Sequence, residues 1–397
     1  MAQHLKKIIL LLLIVIPISL SAQKKLHEKS IVIDTHNDVL SSATLKGMNI
    51  ENDLSGKTHS DLERFRKGGI DIQIFSIFGD ERYVNGTAFR HAIREIDSLD
   101  AITARNPDRM MSVNNMKDLR TAVKAGKLGA MKGVEGGHMI EDRLDYLDSL
   151  YVRGVRYMTL TWNNSTSWAS SAWDETKLDA GKKVPITKKG LNDFGKEVVK
   201  KMNELGMLVD LSHVGVQTFY DALETTSKPV IVSHSCSHFL CPVPRNLTDD
   251  QIRAIGKNGG VIHVNFYSGF LDSSYEKNKE LLLQRHQAER DSLKQAKMAD
   301  YEIEEWISRK YPHEAESLRP SMEVLLDHID RIVKLAGIDH IGIGSDFDGI
   351  ESAPRDLDGV EDMPHLTTAL RKRGYSKKEI RKILGENFIR VFAEAGN

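Results

Sequence analysis

Five apolar runs of this chain end on a carboxylate or an imidazole. "IVIDTHND" carries His36 and Asp38, "GVEGGH" carries Glu135, "LVDLSH" ends on His213, "PVIVSHS" contains His234 and "IGIGSDFDG" holds Asp346. Singly, each has a plain structural reading. His36 and Asp38, two apart on an extended chain, project to one side and suit a metal ion, but the pair also reads as a turn. Glu135 could cap a helix, His213 and His234 could be satisfied core histidines, and Asp346 with Asp348 could form a turn. Together they form a pattern that accident explains poorly. Buried, uncompensated carboxylates cost several kcal/mol each, and a divalent cation is the simplest group to offset them. Three imidazoles, an aspartate and a glutamate suit zinc, with manganese, cobalt or iron as alternatives. Five protein ligands exceed the need of one open catalytic zinc and match two ions bridged by a carboxylate.

Such a gathering requires a scaffold that brings distant strand ends to one place. Eight short runs read as strands: "IVIDTH", "DIQIFSIF", "GAMKGVEG", "VRYMTLTW", "MLVDLSH", "PVIVSHS", "GVIHVNF" and "HIGIGSD". They are rich in branched or aromatic residues and bounded by Gly, Pro or polar clusters. Amphipathic stretches lie between most of them. Leu191, Phe194 and Val198 recur at helical spacing, and Thr248 before Asp249 and Asp250 reads as an N-cap with an acidic first turn. Near-continuous hydrophobic strands alternating with helices predict a parallel sheet covered by helices, and eight units predict a closed (β/α)8 barrel of TIM type, whose strand C-termini converge on one face. A doubly wound open sheet is the alternative, and "DTHND" lacks the Gly-rich fingerprint that would favour it.

Residues 275–318 break the alternation with a highly charged helical stretch between the seventh strand and the helix leading to the eighth. It reads as a solvated excursion, or, because insertions after a barrel strand lie on the catalytic face, as a lid or a contact for a homodimer. No linker or repeat divides the chain, so residues 23–397 are expected to form one catalytic domain. Before it, Lys6 and Lys7, the apolar run Ile8–Leu20 broken by Pro17, and small residues up to Ala22 have the layout of a cleaved signal peptide. The expected product is periplasmic or secreted, with no stable membrane anchor. Lys plus Arg number 55 against 56 Asp plus Glu, leaving no basic excess to hold nucleic acid. With only Cys236 and Cys241, paired or free, disulfides do not carry the fold.

The ordered set "VIDTHND", "GVEGGH", "LVDLSH", "PVIVSHS", "PRN", "IDHIGIGSDFDG" and "GENFIRVF" resembles the membrane (renal-type) dipeptidases, metallopeptidases of the amidohydrolase-like barrel superfamily. The resemblance implies that His36 and Asp38 bind one zinc, that His213 and His234 bind the other, and that Glu135 bridges them. It further implies that Arg245 in "PRN" holds a dipeptide's carboxylate and that Asp346 meets its amino group and handles protons, a hydroxide between the two zinc ions attacking the peptide bond. A guanidinium grips a carboxylate bidentately, so such a site measures substrate length by charge at both ends. Where the family commonly has a histidine after the fourth strand, this chain has Trp162, which puts the polarising role on Asn163 or on the metal alone. Alternatives are a binuclear hydrolase of the same barrel acting on a lactone, an N-acyl amino acid or a β-lactam, and an exported binding protein without catalysis. His138, His238, His263, His328 and His340 are expected to be structural or surface residues.

Overall fold

The structure, a computed structural model, describes residues 25–83 and 86–397; the signal-peptide pattern lies outside the described residues. Nine parallel strands run in the order of the chain: β1 (Ile33–Asn37), β2 (Ile72–Phe78), β3 (Met110–Ser112), β4 (Leu128–Glu135), β5 (Val155–Thr159), β6 (Leu208–Asp210), β7 (Ile231–Ser235), β8 (Val261–Val264) and β9 (Ile341–Ile343). Eight of them close a barrel: β1 pairs with β2 and β9, and β2 pairs along its whole length with β4, from Ile72 opposite Gly129 to Phe78 opposite Glu135. These eight are the runs read from the sequence. The ninth, β3, pairs only with the first residues of β4 and lies outside the ring.

Helices cover the barrel, and their ends carry the expected signals. Thr248 caps Asp249–Asn258 in a reciprocal box with Gln251, and Asn192 caps Asp193–Leu205 by accepting from Gly195 N at 3.0 Å. Most of the buried apolar side chains form one cluster between barrel and helices. A second cluster fills the lower end of the ring: Ile33, Ile72, Leu208, Ile231 and Val261, at or near the starts of their strands, meet Phe388, Val391 and Phe392 of the C-terminal helix Asn387–Glu394.

The charged stretch 275–318, between β8 and β9, folds into four helices, Tyr275–Arg285, Gln287–Gln295, Asp300–Lys310 and Pro312–Leu318. Leu282, Leu283, Ile303 and Ile307 form a small core of their own there. Lys279, buried at 5% exposure, ties this group to the barrel loops: its ammonium lies 2.8 Å from Glu304, 3.0 Å from Glu276 and 3.0 Å from Glu351, and donates to Tyr267 Oη at 2.7 Å. On the far side Tyr301 donates to Asp80 at 3.1 Å and Lys46 approaches Glu302 at 3.6 Å. No helix among the described residues is long and apolar enough to cross a membrane.

Candidate metal centre

All six side chains singled out at the strand ends meet at the C-terminal mouth of the barrel. His36 lies on β1, with Asp38 just beyond it; Glu135 ends β4; His234 lies on β7; His213 and Asp346 follow β6 and β9 by three residues. These last two adopt left-handed backbone, φ 65° and 64°, a conformation that costs a non-glycine residue about 1–3 kcal/mol and persists where surrounding structure enforces it.

Glu135 stands at the centre. Its Oε2 is 3.3 Å from His36 Nε2, while its Oε1 is 2.8 Å from His213 Nε2 and 3.6 Å from His234 Nε2. Asp38 Oδ2 lies 3.4 Å and Asp346 Oδ1 3.9 Å from His36 Nε2. Candidate ligand atoms therefore fall into two main groups, His36 with Asp38 and Glu135, and Glu135 with His213 and His234, which share the one carboxylate; His36, His234 and Asp346 form a third, overlapping set.

Each imidazole has its outer nitrogen occupied, so that Nε2 faces inward. His36 Nδ1 meets Tyr157 Oη at 2.9 Å, His213 Nδ1 meets Asn163 Oδ1 at 3.0 Å, and His234 Nδ1 meets Ser233 Oγ at 2.8 Å. Such partners fix tautomer and ring orientation in metal-binding histidines. Tyr157 reaches His36 across the barrel interior because residue 133 is glycine: a Cβ there would lie 2.1 Å from the tyrosine ring. Ser76 of β2 donates to Glu135 Oε2 at 3.2 Å.

Cations fit this arrangement. His213 Nε2 and His234 Nε2 are 2.9 Å apart, and with both outer nitrogens protonated they would oppose lone pair to lone pair. His36 Nε2 and Asp38 Oδ1 are buried with no hydrogen-bond partner. Burial pushes Asp38 and Asp346 up from the ordinary carboxylate range, with neighbouring carboxylates adding to it. Burial also drives His234 down, and drives His213 down to about 3, helped by nearby cations. On His36 and Glu135 burial is outweighed by opposite charge, raising the imidazole and lowering the carboxylate. A bound cation relieves every one of these conflicts except the protonation of His36, which it displaces.

The centre opens into a cavity of about 1040 Å³ whose wall includes Arg245, Trp162, Phe78 and, from the inserted helices, Asp300, Tyr301, Glu302, Glu304 and Glu305. Arg245 is 3% exposed and, among the described residues, has no carboxylate within ion-pair distance. Among the described residues its hydrogen bonds, both 3.3 Å, go to Ser235 Oγ and His234 O and its Nε has none, and burial lowers its pKa to about 10. A buried guanidinium left without a counter-charge is an anion receptor. Asp346 Oδ2 accepts from Asn265 Nδ2 at 2.8 Å. Trp162 packs edge-on against Phe78, ring centres 5.1 Å apart, and forms an apolar wall 6.3 Å from His213.

Sequence reading missed Tyr157, Ser76 and Asp210 with Ser233, all ordinary residues in apolar or polar runs; Asn163, expected as a polarising donor, instead has its Oδ1 on His213 Nδ1, and only Gly133, inside a strand, hinted at a close approach. Four of the histidines expected to be structural or surface residues bond backbone carbonyls: His138 to Gly79, His263 to Val232, His328 to Leu271 and His340 to Gly260. Cys236 and Cys241 are buried free thiols, each against a carbonyl oxygen.

A closed parallel barrel with imidazoles and carboxylates converging at its C-terminal mouth defines a metallohydrolase scaffold. The chain belongs to the membrane dipeptidase family, peptidase family M19, whose model matches residues 20–397. Among solved structures it is similar to the probable dipeptidase PvdM from Pseudomonas aeruginosa, with 23% identity, a TM-score of 0.77, and coverage of 95% of this chain and 98% of that one. A metallopeptidase from Rhodobacter sphaeroides, liganded with a phosphinate mimic of the dipeptide L-Ala-D-Ala, matches at 22% identity and TM-score 0.72, covering 92% and 100%. An amidohydrolase from Pseudomonas aeruginosa matches at 23% and 0.71, covering 94% and 98%. At these identities the likeness is one of fold.

Proposed function

We propose that this M19 hydrolase is an exported dipeptidase whose centre holds two zinc ions, one on His36 and Asp38, the other on His213 and His234, with Glu135 shared. The observation that carries the reading is Glu135, whose two oxygens face two different sets of imidazoles. When bound, the metals supply Lewis-acid polarisation of the scissile carbonyl and lower the pKa of the attacking water. Arg245 holds the substrate's carboxylate in a two-pronged grip and so orients the peptide bond over the centre. Asp346, anchored through Oδ2 by Asn265, turns Oδ1 toward the centre, where it meets the substrate ammonium, accepts a proton from the water and passes it to the leaving nitrogen. Trp162 closes the cavity wall and excludes water.

The test is hydrolysis of a small panel of L-L and L-D dipeptides, with metal content measured on the same sample. Turnover should vanish with a chelator and return with zinc at two equivalents per chain. Turnover that survives complete metal removal refutes the proposal.

A further inference from the structure

Asp210 ends β6, is fully buried, and takes no part in the chemistry above. Its carboxylate accepts four hydrogen bonds. Oδ1 takes the backbone N–H of Ser212 at 3.1 Å and of Ser233 at 2.8 Å; Oδ2 takes the hydroxyls of Thr159 and, at 2.6 Å, of Ser233. Ser233 Oγ in turn lies 2.8 Å from His234 Nδ1 and 3.1 Å from Ser212 Oγ.

Counting protons along this chain leaves one arrangement. A serine hydroxyl has a single proton, and a carboxylate oxygen at 2.6 Å can only accept, so the Ser233 proton points at Asp210. Ser233 Oγ must then accept from its remaining neighbours, including His234, whose Nδ1 therefore carries the hydrogen. A neutral imidazole has only one, which leaves Nε2 bare. We propose that Asp210, touching no atom of the centre, sets the tautomer of His234 through Ser233 and so keeps Nε2 available to a metal ion. This rests on His234 being a ligand, as proposed above. Asp210 is thus a positioning residue.

The isosteric change Asp210→Asn should invert the chain. Oδ1 is clamped by two backbone N–H groups that cannot reverse, so the new NH2 must occupy the Oδ2 place and donate to Ser233. The serine proton then turns to His234 Nδ1, and the imidazole hydrogen moves to Nε2, where it blocks the metal. Ser233→Ala merely removes the orienting partner. In full-length, zinc-loaded protein, competition with a chelator should show zinc affinity at this position falling about 10-fold in Ser233→Ala and about 100-fold in Asp210→Asn, within the range for outer partners of metal-binding histidines. The double variant should recover to the Ser233→Ala value, because the wrongly placed donor is gone. Nitrogen-15 shifts of the His234 ring should show the proton transferred to Nε2 in Asp210→Asn only.

Zinc affinity in Asp210→Asn equal to wild type, or losses that simply multiply in the double variant, would overturn the assignment. If Asp210→Asn does not fold, Ser233→Ala decides, and unchanged affinity with unchanged ring shifts overturns it. If wild type binds no zinc that His234→Ala removes, the dipeptidase reading fails separately, and the ring shifts alone decide whether the relay stands.

Discussion

Replacing Arg245 by methionine keeps an unbranched apolar stem and removes the charged guanidinium. Among the described residues this guanidinium has two long hydrogen bonds, an unpaired Nε and no carboxylate partner, so a substrate carboxylate would supply its missing counter-charge. A hydrogen bond to a charged group contributes about 1.5–3 kcal/mol, which corresponds to roughly 10- to 150-fold in kcat/KM at about 1.4 kcal/mol per factor of ten. The variant alone would confuse this with any repacking around Phe270, whose ring lies 5.2 Å away. The assay is therefore a cycle: wild type and Arg245→Met, each with a dipeptide and with the same dipeptide amidated at its C-terminus. Wild type should prefer the free acid by at least about 10-fold, chiefly through KM, and the variant should lose that preference while handling the amide about as wild type does. Arg245→Lys, with charge but no fork, should fall between. If Arg245→Met discriminates acid from amide as strongly as wild type, the carboxylate is held elsewhere and the orientation deduced for the substrate is wrong.

Other perturbations address separate parts of the molecule. Asp346→Asn should keep both zinc ions while kcat drops by about 100-fold or more, whereas His36→Ala should lose metal and turnover together; metal analysis beside kinetics separates the two, and an active His36→Ala enzyme would contradict the site. His263, sealed between Val232 and Phe388, is held down to about pKa 4 by burial. Its neutral form stabilises the fold fully above pH 6.5, and this contribution is lost as pH falls toward 4, about 3 kcal/mol in all. Urea midpoints of wild type and His263→Asn at pH 7 and pH 4.5 should diverge in slope accordingly, and parallel slopes would refute it. Lys279→Met leaves Glu276, Glu304 and Glu351 facing one another without their cation, a loss of about 3–5 kcal/mol that should expose residues 275–318 to protease before the barrel is cut; unchanged cleavage order would show that the anchor is elsewhere.

The barrel was legible because strands buried on both faces read as unbroken apolar runs, and a charge at the end of one, as in "IVIDTHND", has no reason to be there except the mouth. The outer ring around the candidate metal centre was not. Tyr157 looks like a core aromatic, Ser233 like a polar residue in a strand and Asp210 like the end of one; their roles come from which strand stands beside which, as when β6 brings Asp210 beside Ser233 of β7. β3 escaped notice because three residues paired to the start of one neighbour leave no periodic trace. Nor does the charged segment 275–318 announce in its composition that Tyr301, Glu302, Glu304 and Glu305 would line the cavity above the candidate centre.

The C-terminal helix, with Phe388 and Phe392 seated among the first residues of strands encoded hundreds of positions earlier, acts as a stopper in the base of the ring. A nascent chain that has emitted every side chain of the candidate centre still has an open floor until this helix follows. The ring should thus close only once this helix is made, and cargo that crowds it should harm yield more than the same cargo on a surface loop.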